Sequence, residues 1–147
     1  MAKEIERKFL VKNTDYKSLS INRFCICQGY LSRKVESTVR VRIKDERAFL
    51  TVKGRTMGMS RSEWEYEIPV DEARAMLQEC AEGTVLSKTR YIVPFEGLTW
   101  EIDEFHAAHE GLVLAEVELE SEEAPVMLPS FVGEEVTGDS RYYNSNL

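Results

Sequence analysis

Glu4 and Glu6 are spaced two residues apart, and Lys8 follows at the same interval. Glu116 and Glu118 repeat the carboxylate pair, while Arg40 with Arg42 and Lys88 with Arg90 repeat the interval with cations. In a strand, side chains two apart point to the same face. Two such carboxylates can share one hard cation, and Mg2+ and Mn2+ take oxygen ligands in near-octahedral geometry. Guanidinium and ammonium groups suit phosphate oxygens, arginine bidentately. Both signs in one cavity imply a phosphate held together with metal; neither sign alone would. Two-metal phosphoryl chemistry uses this set of groups.

The elements that must position these residues are strands. Period-two alternation dominates and gives eight extended segments. They are Ala2–Val11, Arg23–Arg33, Ser37–Lys44, Ala48–Lys53, Ser62–Val70, Thr84–Phe95, Leu98–Phe105 and Leu112–Ser121. Glu96-Gly97 makes a tight hairpin between the sixth and seventh. Ala73, Met76, Leu77 and Cys80 recur at helical spacing between Asp71, a plausible N-cap, and Gly83, a plausible stop. A second short helix is expected over Leu128–Glu134, and a helical turn or loop over Asn13–Asn22. The tail Asp139–Leu147 reads as helical or irregular.

Sorting the strands by parity separates charge from apolar surface. Glu63, Glu65 and Glu67 oppose Trp64, Tyr66 and Ile68; Glu101 and Asp103 oppose Trp100 and Ile102; Thr51 and Lys53 oppose Leu50 and Val52. The plain alternative is an antiparallel sheet with one wet face. Whole strands of a single sign are harder to explain that way. The expected fold is therefore α+β, mainly β: an eight-stranded antiparallel barrel with a charged interior and a few helices outside. Its outward apolar face must be covered by the helix and by a partner subunit, so a homodimer is expected.

Composition sets the bounds. The 147 residues fit one domain, 1–147, with a real core. A formal charge of −7 opposes non-specific nucleic-acid binding, so no nucleic-acid partner is expected. No apolar run reaches membrane-span length, and no membrane association is expected. The N-terminal stretch carries no signal-peptide pattern, and the three cysteines fit reduced thiols, so the expected location is cytoplasmic. His106 and His109 lack the context of a metalloprotease motif and read as a surface loop.

Glu4-x-Glu6-x-Lys8, followed by Phe9-Leu10-Val11, resembles the ExExK signature of the CYTH, or triphosphate tunnel metalloenzyme, superfamily. Gln28-Gly29-Tyr30-Leu31, Val39-Arg40-Val41-Arg42, Thr51-Val52-Lys53, Lys88-Thr89-Arg90-Tyr91, Trp100-Glu101-Ile102-Asp103 and Ala115-Glu116-Val117-Glu118 follow in the matching order. The resemblance covers essentially the whole chain and is nearest to the short bacterial inorganic triphosphatases. It implies a triphosphate substrate and Mg2+ or Mn2+, two ions. It implies Glu4, Glu6, Glu116 and Glu118 as metal ligands, with Glu63, Glu65 and Asp103 as further carboxylates. Lys8, Arg40, Arg42, Lys53, Lys88 and Arg90 would bind phosphate. Lys8 is also a candidate base with Tyr30 as partner. Class IV adenylate cyclase, thiamine or nucleoside triphosphatase, and a non-catalytic polyphosphate- or nucleotide-binding module are the competing readings.

Overall fold

The computed structural model describes residues 2–147. The alternating segments form β1 (Ala2–Val11), β2 (Asn22–Lys34), β3 (Ser37–Lys44), β4 (Arg47–Gly54), β5 (Ser60–Ile68), β6 (Glu82–Phe95), β7 (Leu98–Phe105) and β8 (Val113–Glu118). A ninth strand, β9 (Val132–Glu135), stands where a helix over Leu128–Glu134 is expected. Two features favour the strand. Pro129 cannot donate a backbone hydrogen bond. Gly133 lies against β1, where an added Cβ would sit 3.2 Å from the Leu10 carbonyl oxygen.

All pairings are antiparallel. The strands run β5-β4-β3-β2-β6-β7-β8-β1, and β5 pairs back onto β1 to close an eight-stranded barrel. β1 is the closing strand. Its start, Ala2–Ile5, pairs with β5, and Glu6–Leu10 pair with β8. Phe9 faces Ala115 of β8 on one side and Glu135 of β9 on the other, so β9 continues the edge that β5 leaves. Glu96 and Gly97 both take positive φ at the β6–β7 hairpin, the requirement of a two-residue type I′ turn.

The expected helix is α2, Val70–Cys80. It begins directly after Pro69 rather than at an Asp71 cap, and Asp71 and Glu72 in its first turn complement the helix dipole. It ends before Gly83, whose positive φ lies at the start of β6. The Asn13–Asn22 segment contributes one turn, α1 (Tyr16–Leu19).

Apolar side chains of the barrel wall point outward, and the chain covers most of them itself. α2 lays Ala73, Met76 and Leu77 over Val41, Ile43, Ala48 and Leu50. Tyr16 of α1, together with Leu119, Ala124, Val126, Phe131 and Val132 of the return to β9, covers Phe9, Tyr91, Val93, Trp100, Ile102 and Val117. Trp64 and Tyr66 of β5 stay exposed, at 38% and 61%.

The interior departs from a charged tunnel in one respect. Leu10, Leu86, Phe105, Leu112 and Leu114 share the inward parity and meet Tyr142 and Leu147 of the tail in a third apolar cluster. The charged space is thus sealed at one end. Phe131, fully buried where the return segment enters β9, is the anchor of the outer cover. Phe131→Ala should lower unfolding free energy by about 3–5 kcal/mol in urea titrations. A loss under 1 kcal/mol would mean that this cover contributes little to the fold.

Candidate active site

Parity delivers the charged residues to one cavity of about 430 Å³, lined by Glu4, Glu6, Lys8, Tyr30, Arg40, Arg42, Lys53, Glu63, Glu65, Lys88, Arg90, Glu116 and Glu118. The register then sets who faces whom. Glu6 lies opposite Glu118 and Lys8 opposite Glu116 across β1 and β8. Arg90 lies opposite Asp103 across β6 and β7.

One region of the wall is cationic. Arg40, Arg42, Lys88 and Arg90 come from β3 and β6, the two strands that flank β2. Arg42 donates from Nε to Gln28 Oε1 at 2.8 Å and has no carboxylate within ion-pair distance among the described residues. Burial, aided by Arg40 and Arg90, pulls its guanidinium pKa down. Arg40 reaches Thr51 Oγ1 at 3.2 Å and Glu65 at 3.7 Å, while its buried Nε has no partner. Such an orphaned donor is costly unless an acceptor arrives. Lys88 is 1% exposed, and burial, with Arg90 and Arg42 adding to it, brings its ammonium down to about 7 despite the opposing pull of Asp103. The positive charge gathered here is what an anion would neutralise.

The opposite region is anionic. Burial first, then Glu116 and Glu4, push Glu6 well above the carboxylate range. Glu63 rises to about 7 through burial and its hydrogen bond with Glu4. Burial, Glu4 and Glu101 raise Glu118. Burial also opposes ionisation of Glu4 and Glu116, but Lys53 and Lys8 respectively outweigh it and both fall. Lys53, expected on phosphate, sits instead among the carboxylates, 2.8 and 3.0 Å from the two Glu4 oxygens and 3.9 Å from Glu63.

Among the described residues, no three His, Cys, Asp or Glu side chains stand preassembled around one point. The carboxylates stand in pairs, Glu4 with Glu63 and Glu6 with Glu116. All are oxygen donors, burial and neighbouring carboxylates raise the pKa of Glu6, Glu63 and Glu118, and an ammonium already lies near Glu4 and Glu63. That donor set fits a hard divalent cation, which would take the place of shared protons and of Lys53.

Two expected roles look different in place. Asp103 does not line the cavity; its carboxylate is 3% exposed and bonded to Arg90 and Lys88. Lys8, weighed as a base, is 3.2 Å from Glu116 and donates to the Tyr142 carbonyl at 3.0 Å. Burial lowers its pKa, but Glu116 and Glu6 more than restore it, and the net direction is upward. That direction favours a charge that holds an anion over a base.

The expected site residues included none from the tail. Asn144 Oδ1 accepts from Lys88 at 2.7 Å and from Gln28 at 3.1 Å. Thr137 Oγ1 accepts from the Lys8 backbone N–H at 2.9 Å. Arg33 donates to the Ser145 carbonyl and stacks on Tyr30. Thr51 and Glu101 were reachable by parity, since they share faces with Lys53 and Asp103. No periodicity marks an irregular tail. His106 Nε2 bonds Thr89 Oγ1 at 2.8 Å, outside the cavity.

The CYTH domain profile matches residues 2–145. The chain is 50% identical to an inorganic triphosphatase of Acetivibrio thermocellus over 147 residues, covering all of this chain and 94% of that protein. It is 38% identical to an inorganic triphosphatase of Nitrosomonas europaea, covering 98% and 95%. The fold superposes on the crystal structure of an inorganic triphosphatase with a TM-score of 0.70 at 35% identity, covering 97% and 95%.

The raised Glu63 predicts a pH signature in metal-free protein. Its stabilising contribution is full below the ordinary value of 4.5 and is lost as pH rises through about 7. Glu63→Gln should therefore gain Tm over the parent at pH 8 and not at pH 4.5, by thermal melts in EDTA. A difference that does not change with pH would place no shared proton on Glu63.

Proposed function

This chain is a member of the CYTH domain family, and from that premise we propose that it is a divalent-metal-dependent triphosphatase acting on inorganic tripolyphosphate. The observation that carries the reading is a single cavity in which a cationic wall, with Arg42 lacking any carboxylate partner and Arg40 keeping an unpartnered Nε among the described residues, faces crowded carboxylates. The identity with named inorganic triphosphatases supports it. The whole of 1–147 serves as one triphosphate-binding domain.

Arg40, Arg42, Lys88 and Arg90 grip the phosphate oxygens, and Lys8 adds a fixed positive charge at the boundary with the carboxylates. Glu4, Glu6 and Glu116, with Glu63 and Glu118, would hold Mg2+ or Mn2+, two ions. When bound, these supply Lewis-acid neutralisation of the phosphates and acidify the attacking water. The water oxygen forms the new P–O bond as the bridging P–O bond opens in line, giving phosphate and pyrophosphate. Tyr30 borders the cavity beside Arg33 and orders the wall. Glu65, bonded to Thr51 Oγ1 at 2.8 Å, holds the Arg40 side of the site. The sealed end excludes water behind the cations, which strengthens their hold on charge.

Exposed Trp64 and Tyr66 support a homodimer through the outer face of β5. The three unpaired cysteines support a cytoplasmic location. No helix among the described residues is long and apolar enough to cross a membrane.

Purified protein with tripolyphosphate, ATP or thiamine triphosphate, in Mg2+, Mn2+ or EDTA, tests the reading. Phosphate and pyrophosphate should form fastest from tripolyphosphate and only with metal. Cyclic AMP from ATP without free phosphate would select the cyclase instead, and binding without product the non-catalytic module. Glu6→Gln should retain its fold and lose metal-dependent turnover by about 100-fold or more; full activity at limiting Mg2+ would remove Glu6 from the site. Light scattering should report a dimer that Tyr66→Glu dissociates, whereas a monomeric parent would refute the β5 interface.

A further inference from the structure

Asp103 is the most enclosed carboxylate of the interior and one of those that the resemblance points to metal. Its surroundings assign it elsewhere. Oδ1 accepts from Arg90 Nε at 2.8 Å, and Oδ2 accepts from Arg90 Nη2 at 2.9 Å. The same Oδ2 lies 2.8 Å from Lys88 Nζ. The side chain is 4% exposed and absent from the cavity wall, whereas both of its partners line that wall. Register explains the arrangement: Asp103 and Arg90 are directly opposed across β6 and β7, and Lys88 is the next inward residue of β6.

The other carboxylates of the cavity differ. Glu4, Glu6, Glu63, Glu116 and Glu118 all reach the cavity. A metal ligand needs a lone pair directed at the ion. Asp103 has given one oxygen to Nε and the other to two further donors. Recruiting it to a metal would strip a buried guanidinium and a buried ammonium of their shared counter-charge, a strongly unfavourable change.

The geometry points to Asp103 as a positioning residue: it clamps Arg90 bidentately, ties Lys88 beside it, and so fixes the angle at which both present charge to the terminal phosphate. The bidentate fork fixes the guanidinium plane through Nε and one terminal nitrogen. The other terminal nitrogen, Nη1, is 3.3 Å from cavity-lining Glu101 and so stands on the cavity side. Lys88 has two of its three donors committed, to Asp103 and to Asn144, which leaves one for substrate. Asp103 touches neither phosphate nor metal in this arrangement and acts only through the two cations.

The inference rests on the triphosphatase reading, and its test separates the two. Asp103→Asn keeps the shape and removes the charge. Calorimetry in EDTA measures tripolyphosphate binding without turnover, and Mn2+ titration measures metal binding without substrate. Asp103→Asn should weaken metal-free tripolyphosphate binding by about 10- to 100-fold and leave Mn2+ affinity within about twofold. In steady state, KM should rise more than kcat falls. Loss of Mn2+ affinity with tripolyphosphate binding intact would make Asp103 a metal ligand and overturn the assignment. If Asp103→Asn does not fold, Asp103→Glu retains the charge and displaces the carboxylate by one methylene. It should show the same selective loss, and parental tripolyphosphate affinity would overturn the assignment. A parent that binds tripolyphosphate but fails to hydrolyse it would refute the triphosphatase reading and leave this one standing. A parent that fails to bind it would refute both.

Discussion

Burying charge inside a barrel is tolerable only when each charge faces another of opposite sign or a hydrogen-bond partner. Asp103 between Arg90 and Lys88 meets that condition completely, and Lys8 with Glu116 meets it in part. Arg40, Arg42, Glu6 and Glu63 meet it least: among the described residues, Arg40 keeps a buried Nε without a partner, Arg42 has a hydrogen bond but no ion pair, and the two glutamates crowd other carboxylates. The unmet charges of opposite sign lie across one cavity, so they cannot relieve each other at close range. Under the proposed function, a ligand bearing both signs, phosphate on one side and cation on the other, would relieve them. The interior would then be stabilised by its complex more than by itself, which is the usual trade of stability against function.

The outer surface answers the constraint that this interior creates. A barrel whose polar side is inward must carry its apolar side outward, the inverse of small barrels with filled apolar centres. α2 covers one half, and the return from β8 to β9 covers the other with Phe131, Val126 and Leu119. Phe9 and Trp100 pack at 5.5 Å between ring centroids, and Tyr16 sits edge-on to Tyr91 and Phe131. The same β1 strand holds Phe9 in this outer core and Lys8 in the cavity. A slip of one residue would exchange them.

Much of this was legible by parity, because strands impose a period of two whatever surrounds them. Glu4, Arg42, Lys88 and Glu116 fall on the inward face as their numbering requires. Closure onto β1 and the family match of residues 2–145 agree with that reading. Parity fails where sign and neighbour matter. It puts Asp103 and Glu116 on the same footing, though one is clamped by cations and the other borders the cavity. It assigns Lys53 to phosphate, though β4 brings it to Glu4. It is silent on residues 128–147, where Pro129 and Gly133 interrupt any pattern and only tertiary contact decides the outcome.

The threefold pairing of β1 has a consequence for how the molecule is made. β1 emerges from the ribosome before every partner it needs: β5 follows well down the chain, and β8 and β9 later still. Until then Glu4, Glu6 and Lys8 have no counterparts, and Phe9 has no cover. Local hairpins from β2 to β4 and from β6 to β8 can form as they appear, but barrel closure waits for contacts of long sequence separation, the slow class in folding. The first strand of the barrel is thus the last to be completed, and with it the cavity.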